Sequence, residues 1–285
     1  KNIIKPGDGK MIVMVHKPLD IVLGTYWLTK AMPGEQGEGN YFQSPNAAIL
    51  AYDHKGIDLR AKINVLPVAG KEKYAALTAS GGTFETTVGR LLFNTVLPSD
   101  YPFVNDAISK KVLSSIMDDC IVRYGIDALP GIVNKIKRFG FEYATKSGVS
   151  WSLDDVSVPE GKGPVIAAAR EKVEKVESDF RDGLLSAEEK RRMVIEIWHH
   201  TKTEVETLVE AALDPAGSVH DMVRSGARGS IGNLTQMAGM KGLIQNTAGD
   251  TIEVPIVSSM TEGLNPVEYF MSTHGARKGL TDTAL

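Results

Sequence analysis

A mainly α-helical fold with small β elements (α+β) is what the sequence predicts, and three observations predict it. Apolar residues recur at intervals of three and four through the middle of the chain, the signature of amphipathic helices. Turn signals crowd the first hundred residues and leave room there only for short strands and short helices. Between two long periodic runs, Ser186 and Glu189 form a capping pattern, which predicts a projecting antiparallel helical hairpin.

Near the start, Pro6 to Gly9, Pro33-Gly34, Gly37 to Asn40 and Gly81-Gly82 separate short runs such as Met11–Val15 and Ala61–Leu66. Ser44-Pro45-Asn46 opens a helix over Ala47–Tyr52, and Thr86 to Val96 forms another, closed by Pro98. From Asn105 to Tyr124 the spacing of Ile108, Val112, Ile116, Ile121 and Val122 predicts an amphipathic helix, and a second runs from Leu129 to Arg138, stopped by Gly140. In the hairpin, Val165, Ala169, Val173, Val176 and Phe180 face Val194, Ile197, Thr201, Val205, Leu208 and Ala212, with Gly183 in the turn. At 1.5 Å per residue it is about 30 Å long. Ile252–Val257 reads as a short strand. Asn265-Pro266-Val267-Glu268 starts the last helix, Asn as N-cap and Pro at the first helical position, and this helix runs to Leu285.

Composition bounds the function. With 42% hydrophobic and 24% charged residues the chain is globular, and its first apolar stretch is too short for a secretory core or a membrane span. Because it begins at Lys1, a soluble fragment or processed chain is the expectation. The lone Cys120 excludes an internal disulfide and a four-cysteine zinc cage, and it suits a reducing, cytoplasmic compartment. The net charge of −3, from 32 basic and 35 acidic residues, gives no surplus cations for autonomous nucleic-acid binding. Phosphate-binding loop, Gly-x-Ser-x-Gly and His-Glu-x-x-His patterns are all missing.

Several candidate chemical features have bland readings. Asp154-Asp155 behind Ser152 reads as a capping turn rather than an acid pair. His199 and His200 point about 100° apart on a helix and do not share a metal, so Trp198-His199-His200 reads as surface or packing. Cys120 sits inside an amphipathic run as a small core residue. Two stretches ask for more. In Ser225-Gly226-Ala227-Arg228-Gly229-Ser230 a single guanidinium lies among glycines, where the backbone can approach a ligand and the side chain can grip phosphate or carboxylate. In the last helix Gly275 and Gly279 each cost about 1 kcal/mol of helix stability relative to Ala, and close packing and bending explain them equally well.

Gly226-Ala227-Arg228-Gly229-Ser230, Gln236 to Leu243, Glu262-Gly263-Leu264 and Glu268 to Leu285 resemble the F-loop and bridge helix of the bacterial DNA-directed RNA polymerase β′ family. Asp20 to Gly24, Thr86 to Arg90 with Phe93-Asn94 and Leu97-Pro98, and Phe139-Gly140-Phe141 with Tyr143-Ala144-Thr145 resemble the same family in the same order. The opening Val15 to Asp20 departs from the usual pattern, and Lys241 stands where Arg is common.

The resemblance implies an internal segment in three regions: pore and funnel over 1–104, secondary-channel helices over 105–215 with the rim hairpin at 164–213, and F-loop with bridge helix over 216–285. It implies a nucleotidyltransferase whose Mg2+-binding motif lies before Lys1 and whose Zn2+ is held elsewhere in the subunit, so that this segment alone is inactive and holds neither a catalytic residue nor a metal. It further implies contacts to the substrate channel or nucleic acid from Arg228, Gln236, Lys241, His274, Arg277 and Lys278, with Gly275 and Gly279 as hinge. The implied partners are the β, α, ω and σ subunits, DNA template, RNA and NTPs, and factors docking at the rim hairpin, in the nucleoid and away from membranes. A non-catalytic helical scaffold or transcription regulator with a polymerase-like fold is the alternative.

Overall fold

The computed structural model describes residues 19–79, 81–246 and 248–284. Met11–Val15, the Pro6–Gly9 turn, the divergent opening up to residue 18 and Leu285 therefore lie outside the described residues. The fold is mainly helical with one small sheet, as the sequence predicts. It forms two compact units, residues 1–150 with 220–228, and residues 151–219 with 229–285.

In the first unit, helix α1 (Leu19–Thr29) is followed by β1 (Tyr41–Phe42), α2 (Pro45–Asp53), β2 (Ile63–Val65), α3 (Ala75–Ala79), β3 (Phe84–Thr86), α4 (Val88–Val96) and α5 (Lys110–Ser147). β2 is central, parallel to β1 (Tyr41 beside Asn64) and antiparallel to β3 (Ile63 beside Thr86). The Ser44 hydroxyl accepts from the Ala47 N–H and caps α2 as expected. The helix expected from Thr86 begins at Val88 instead, because Thr86 pairs in the sheet and Thr87 is the N-cap.

Three corrections concern α5. It starts at Lys110 rather than Asn105, since the Ile108 N–H is spent on the Thr29 hydroxyl at 2.8 Å and Ser109 supplies the cap. Its helical run breaks at Gly125 (φ +73°), then continues through Gly140 to Ser147, where Gly148 closes it in the left-handed region at φ +58°. Gly140 is no stop signal. It is the point where α1 crosses: a Cβ on Gly24 would sit 2.0 Å from the Gly140 carbonyl oxygen, and one on Gly140 would sit 2.8 Å from the Ile21 Cα. Ile21, Val22, Phe93, Ile108, Met117 and Ile136 bury themselves around this crossing, each worth roughly 1.5–3 kcal/mol. Val122, expected on the inner face, is 84% exposed, because at about 100° per residue it points away from the stripe of Leu113, Met117 and Cys120, which continues to Tyr124.

In the second unit, α6 (Lys162–Arg181) and α7 (Ala187–Ala212) form the hairpin, with Gly183 at φ +76° in its turn. The Ser186 hydroxyl accepts from the Glu189 N–H, and the Glu189 carboxylate accepts from the Ser186 N–H, which is the expected capping box. Ile166, Ala169 and Val176 are buried on α6, and Val194, Trp198, Thr201, Val205 and Val209 on α7. Phe180 and Ala212, expected in the seam, are exposed, since both lie at helix ends where the partner gives less cover. The Lys190 ammonium sits over the Phe180 ring at 5.4 Å. Helix α8 (Ser218–Arg224) passes from the second unit into residues 220–228 of the first, and after the chain returns, α9 (Ile231–Leu234) is followed by a π-helical turn over Thr235–Gly239. Ile252–Val257 is not a strand. Ile256 makes an isolated bridge with Gly242, and the next bridge, Gln245 with Thr251, lies just before the segment in a register shifted by two residues, so no continuous ladder forms. Helix α10 spans Pro266–Ala284.

Gly24→Ala should cost the first unit about 1–3 kcal/mol or more, because the methyl meets backbone that cannot yield locally. Gly131→Ala, with no atom within 4 Å of the added methyl, should be neutral or stabilising by up to about 1 kcal/mol. Thermal unfolding of the two variants checks this; equal melting points would show that the α1–α5 crossing is not tight.

Candidate functional site

The Arg228 segment is built from its backbone. Ser225 is buried; its hydroxyl donates to the Met222 carbonyl and accepts from the Ala227 N–H, both at 3.1 Å, and its carbonyl accepts from the Lys110 N–H at 2.8 Å. Gly226 turns the chain at φ +74°, where a Cβ would stand 3.1 Å from that of Lys110. Ala227 enters the first unit's core. The Arg228 N–H then closes on the Met222 carbonyl at 3.2 Å, and the residue itself is exposed, with Gly229 behind it at φ +81°.

Just upstream, the Lys30 ammonium lies 2.5 Å from the Asp221 carboxylate, with side chains 11% and 3% exposed. The His220 ring nitrogen Nδ1 is 3.5 Å from Lys30 Nζ and 3.4 Å from Asp221 Oδ1. Burial, then the nearby Lys30 charge, pull the His220 pKa below its ordinary value, against the opposing pull of Asp221.

The other residues implied by the resemblance belong to the second unit. Gln236 is half-buried in the π-helical turn, and its carbonyl accepts from the Met260 N–H at 3.2 Å. The half-buried Lys241 immediately precedes the Gly242–Ile256 bridge. His274, Arg277 and Lys278, spaced three and four apart, share one face of α10. His274 meets the Phe270 ring edge-on at 5.5 Å, Arg277 is exposed, and Lys278 pairs with Asp282 at 3.4 Å. The two hinge glycines differ: a Cβ on Gly275 would lie 3.1 Å from Ile244 Cγ2, whereas one on Gly279 would meet nothing within 4 Å.

Two carboxylates set the start of α10, and neither was evident as an anchor. Glu268 completes a capping box with Asn265 and also accepts from the Val257 and Ser258 N–H groups at 3.0 and 3.1 Å. Desolvation pushes its pKa up, but hydrogen bonds from Ser258, Asn265 and Val257 outweigh that and hold it below the usual range. Glu262 accepts from the Ser259 N–H and hydroxyl and pairs with Lys162 at the start of α6. Its pKa is likewise lowered, the desolvation being outweighed by Lys162 and Ser259.

The bland readings stand. Asp155 accepts from the Ser152 N–H at 2.6 Å in a capping turn. Trp198 is buried, while His199 and His200 are exposed, His200 facing Glu204 at 3.3 Å. Burial and Asp119 raise the Cys120 thiol pKa to about 11. Among the described residues no group of three or more His, Cys, Asp or Glu side chains could hold a metal ion, so the ions implied by the resemblance find no donor set here. No described helix is long and apolar enough to cross a membrane.

Residues 2–156 match the family model of RNA polymerase Rpb1, domain 3, and residues 171–276 that of RNA polymerase Rpb1, domain 4. Along its whole length the chain is 42% identical to the DNA-directed RNA polymerase subunit β′ of Caldicellulosiruptor saccharolyticus, 41% to that of Desulforamulus reducens and 40% to that of a Nocardioides species. It spans 25%, 23% and 22% of those proteins, about a quarter of their length. The domain 3 match alone covers more than half of the chain, which therefore belongs to the RNA polymerase Rpb1 family, in which these relatives carry the name of subunit β′.

Proposed function

We propose that the chain works as part of a DNA-directed RNA polymerase β′ subunit, lining the route by which nucleotides reach the active site and crossing the cleft beside it. The observation that carries this reading is the end-to-end similarity to β′ subunits at about 40% identity. Under it, α10 is the bridge helix, the segment around Arg228 and the π-helical turn form the F-loop, and α6–α7 form the rim of the secondary channel. The reaction is DNA-templated nucleotidyl transfer by the whole enzyme, assembled with β, α, ω and σ subunits.

Physical features support these roles. Arg228 is exposed on a segment whose backbone is fixed, so its guanidinium can meet a nucleotide phosphate or an acidic group of a channel-entering factor. Arg277 is exposed on α10, and Val267, Tyr269, Phe270 and Leu280 of the same helix expose apolar surface suited to neighbouring polymerase segments. The hairpin tip carries exposed charge from Arg181 through Arg192, which suits a docking surface for factors.

In the assembled polymerase, Arg228→Ala should raise the apparent nucleotide KM about ten-fold, the equivalent of about 1.4 kcal/mol, with little change in assembly. Steady-state kinetics with limiting nucleotide reads this, and an unchanged KM would remove Arg228 from the channel. Deleting Asp179 to Glu189 should abolish stimulation by a transcript-cleavage factor and leave basal elongation within about two-fold. Equal loss of both would make the hairpin structural. Gly279→Ala should stabilise α10 by about 1 kcal/mol without a clash and slow elongation or shift pausing. Normal elongation with that variant would end the hinge role, and Gly275→Ala, which presses on Ile244, separates packing from bending.

A further inference from the structure

The Lys30–Asp221 pair is not needed to explain either the sheet or the α1–α5 crossing, and the proposed function does not use it. We propose that it is a latch that positions the Arg228 segment, so that Lys30 and Asp221 are positioning residues for whatever Arg228 binds. The inference rests on the reading of Arg228 as a contact for nucleotide phosphate or an acidic factor group.

The geometry supplies a fixed end and a carried end. Lys30 directly follows α1, and the last residue of that helix is held twice: the Thr29 hydroxyl accepts from the Ile108 N–H at 2.8 Å, and its carbonyl accepts from Arg90 Nε at 2.9 Å. Lys30 therefore starts from backbone that cannot drift. Asp221 begins the carried end. Its carbonyl accepts from the Ser225 N–H at 3.1 Å, and the Met222 carbonyl beside it accepts from both the Ser225 hydroxyl and the Arg228 N–H. The seven steps from Asp221 to Arg228 are thus closed into one hydrogen-bonded knot, and a shift at Asp221 is passed to the guanidinium. The two ions are buried 2.5 Å apart, with His220 Nδ1 within 3.5 Å of both, so a shift of Asp221 is felt across a desolvated charge cluster. A buried ion pair is a poor source of net stability but a strong constraint on register, which is what a positioning role requires.

The test uses the complete polymerase carrying Asp221→Asn, Asp221→Glu, Lys30→Arg, Arg228→Ala and the Asp221→Asn/Arg228→Ala double substitution. Nucleotide KM and kcat are measured, together with the rate of limited tryptic cleavage after Arg224 and Arg228. Asp221→Asn should raise KM about three- to ten-fold with kcat nearly kept, and speed cleavage; the double variant should be no worse than Arg228→Ala alone. Lys30→Arg keeps the charge but reshapes the pair, and should raise KM less than Asp221→Asn does. If Asp221→Asn fails to assemble, Asp221→Glu, which keeps the charge but moves it by one methylene, should show the same KM shift in reduced form. Additive effects in the double variant, or cleavage no faster in Asp221→Asn and Asp221→Glu than in the parent, would overturn the latch. If Arg228→Ala leaves KM unchanged, the reading of Arg228 falls by itself, and the cleavage rate alone then decides for or against the latch.

Discussion

The close passage of α1 over α5 is the constraint on which the first unit depends. Helices usually pack with axes 8–10 Å apart because side chains stand between them. Here Gly24 and Gly140 remove those side chains, and a Cβ on Gly24 would have only 2.0 Å to the Gly140 carbonyl. On another side of α1, Gly89 comes so close that its own Cβ would fall 2.0 Å from the Leu28 carbonyl. With α1 gripped at both places, its C-terminal end becomes a reference point. Thr29 receives Ile108 and Arg90, and Asn94, one turn on from Arg90, ties its amide to the Val104 N–H and carbonyl. Much of the Thr87-Val88-Gly89-Arg90 and Phe93-Asn94 pattern is spent on this packing rather than on chemistry.

The second unit solves a different problem, holding a long exposed helix from one end. Helix α10 buries only Ser272 fully among its described side chains, so little apolar burial anchors it. Glu268 substitutes direct bonds, taking two N–H groups from residues 257 and 258 while capping its own helix. Glu262 links the preceding turn to Lys162, the first residue of α6. Hairpin and α10 are therefore joined through charge-assisted hydrogen bonds, which are short and directional. A helix fixed at its base and open along its length is mechanically suited to respond to what lies against it.

Much of this was legible from local chemistry. The hairpin, its Gly183 turn and the Ser186–Glu189 box follow from periodicity and caps that operate within four residues. So do the start of α10 at Asn265-Pro266 and the capping role of Asp155. Less legible was the meaning of each glycine. Gly140 reads as a helix stop from propensity alone, yet α5 runs through it because the space its missing side chain leaves is taken by Ile21. Ile252–Val257 reads as a strand from its β-branched residues, yet the bridges at Ile256 and Thr251 fall in different registers and form no ladder.

By itself the sequence determined the fold class, the hairpin, the capped last helix and the family, because these rest on residues near one another in the chain or on motifs in a fixed order. It also marked Arg228, Gly275 and Gly279 as residues out of keeping with their surroundings. Only the tertiary structure decided that Gly275 touches Ile244 while Gly279 is open, and that Lys30 reaches Asp221 across 191 positions. The physical reason is the range of the forces involved. Helix spacing and caps act over a turn, whereas burial of a charge pair depends on which distant backbone happens to pass within a few ångströms, and no local pattern encodes that distance.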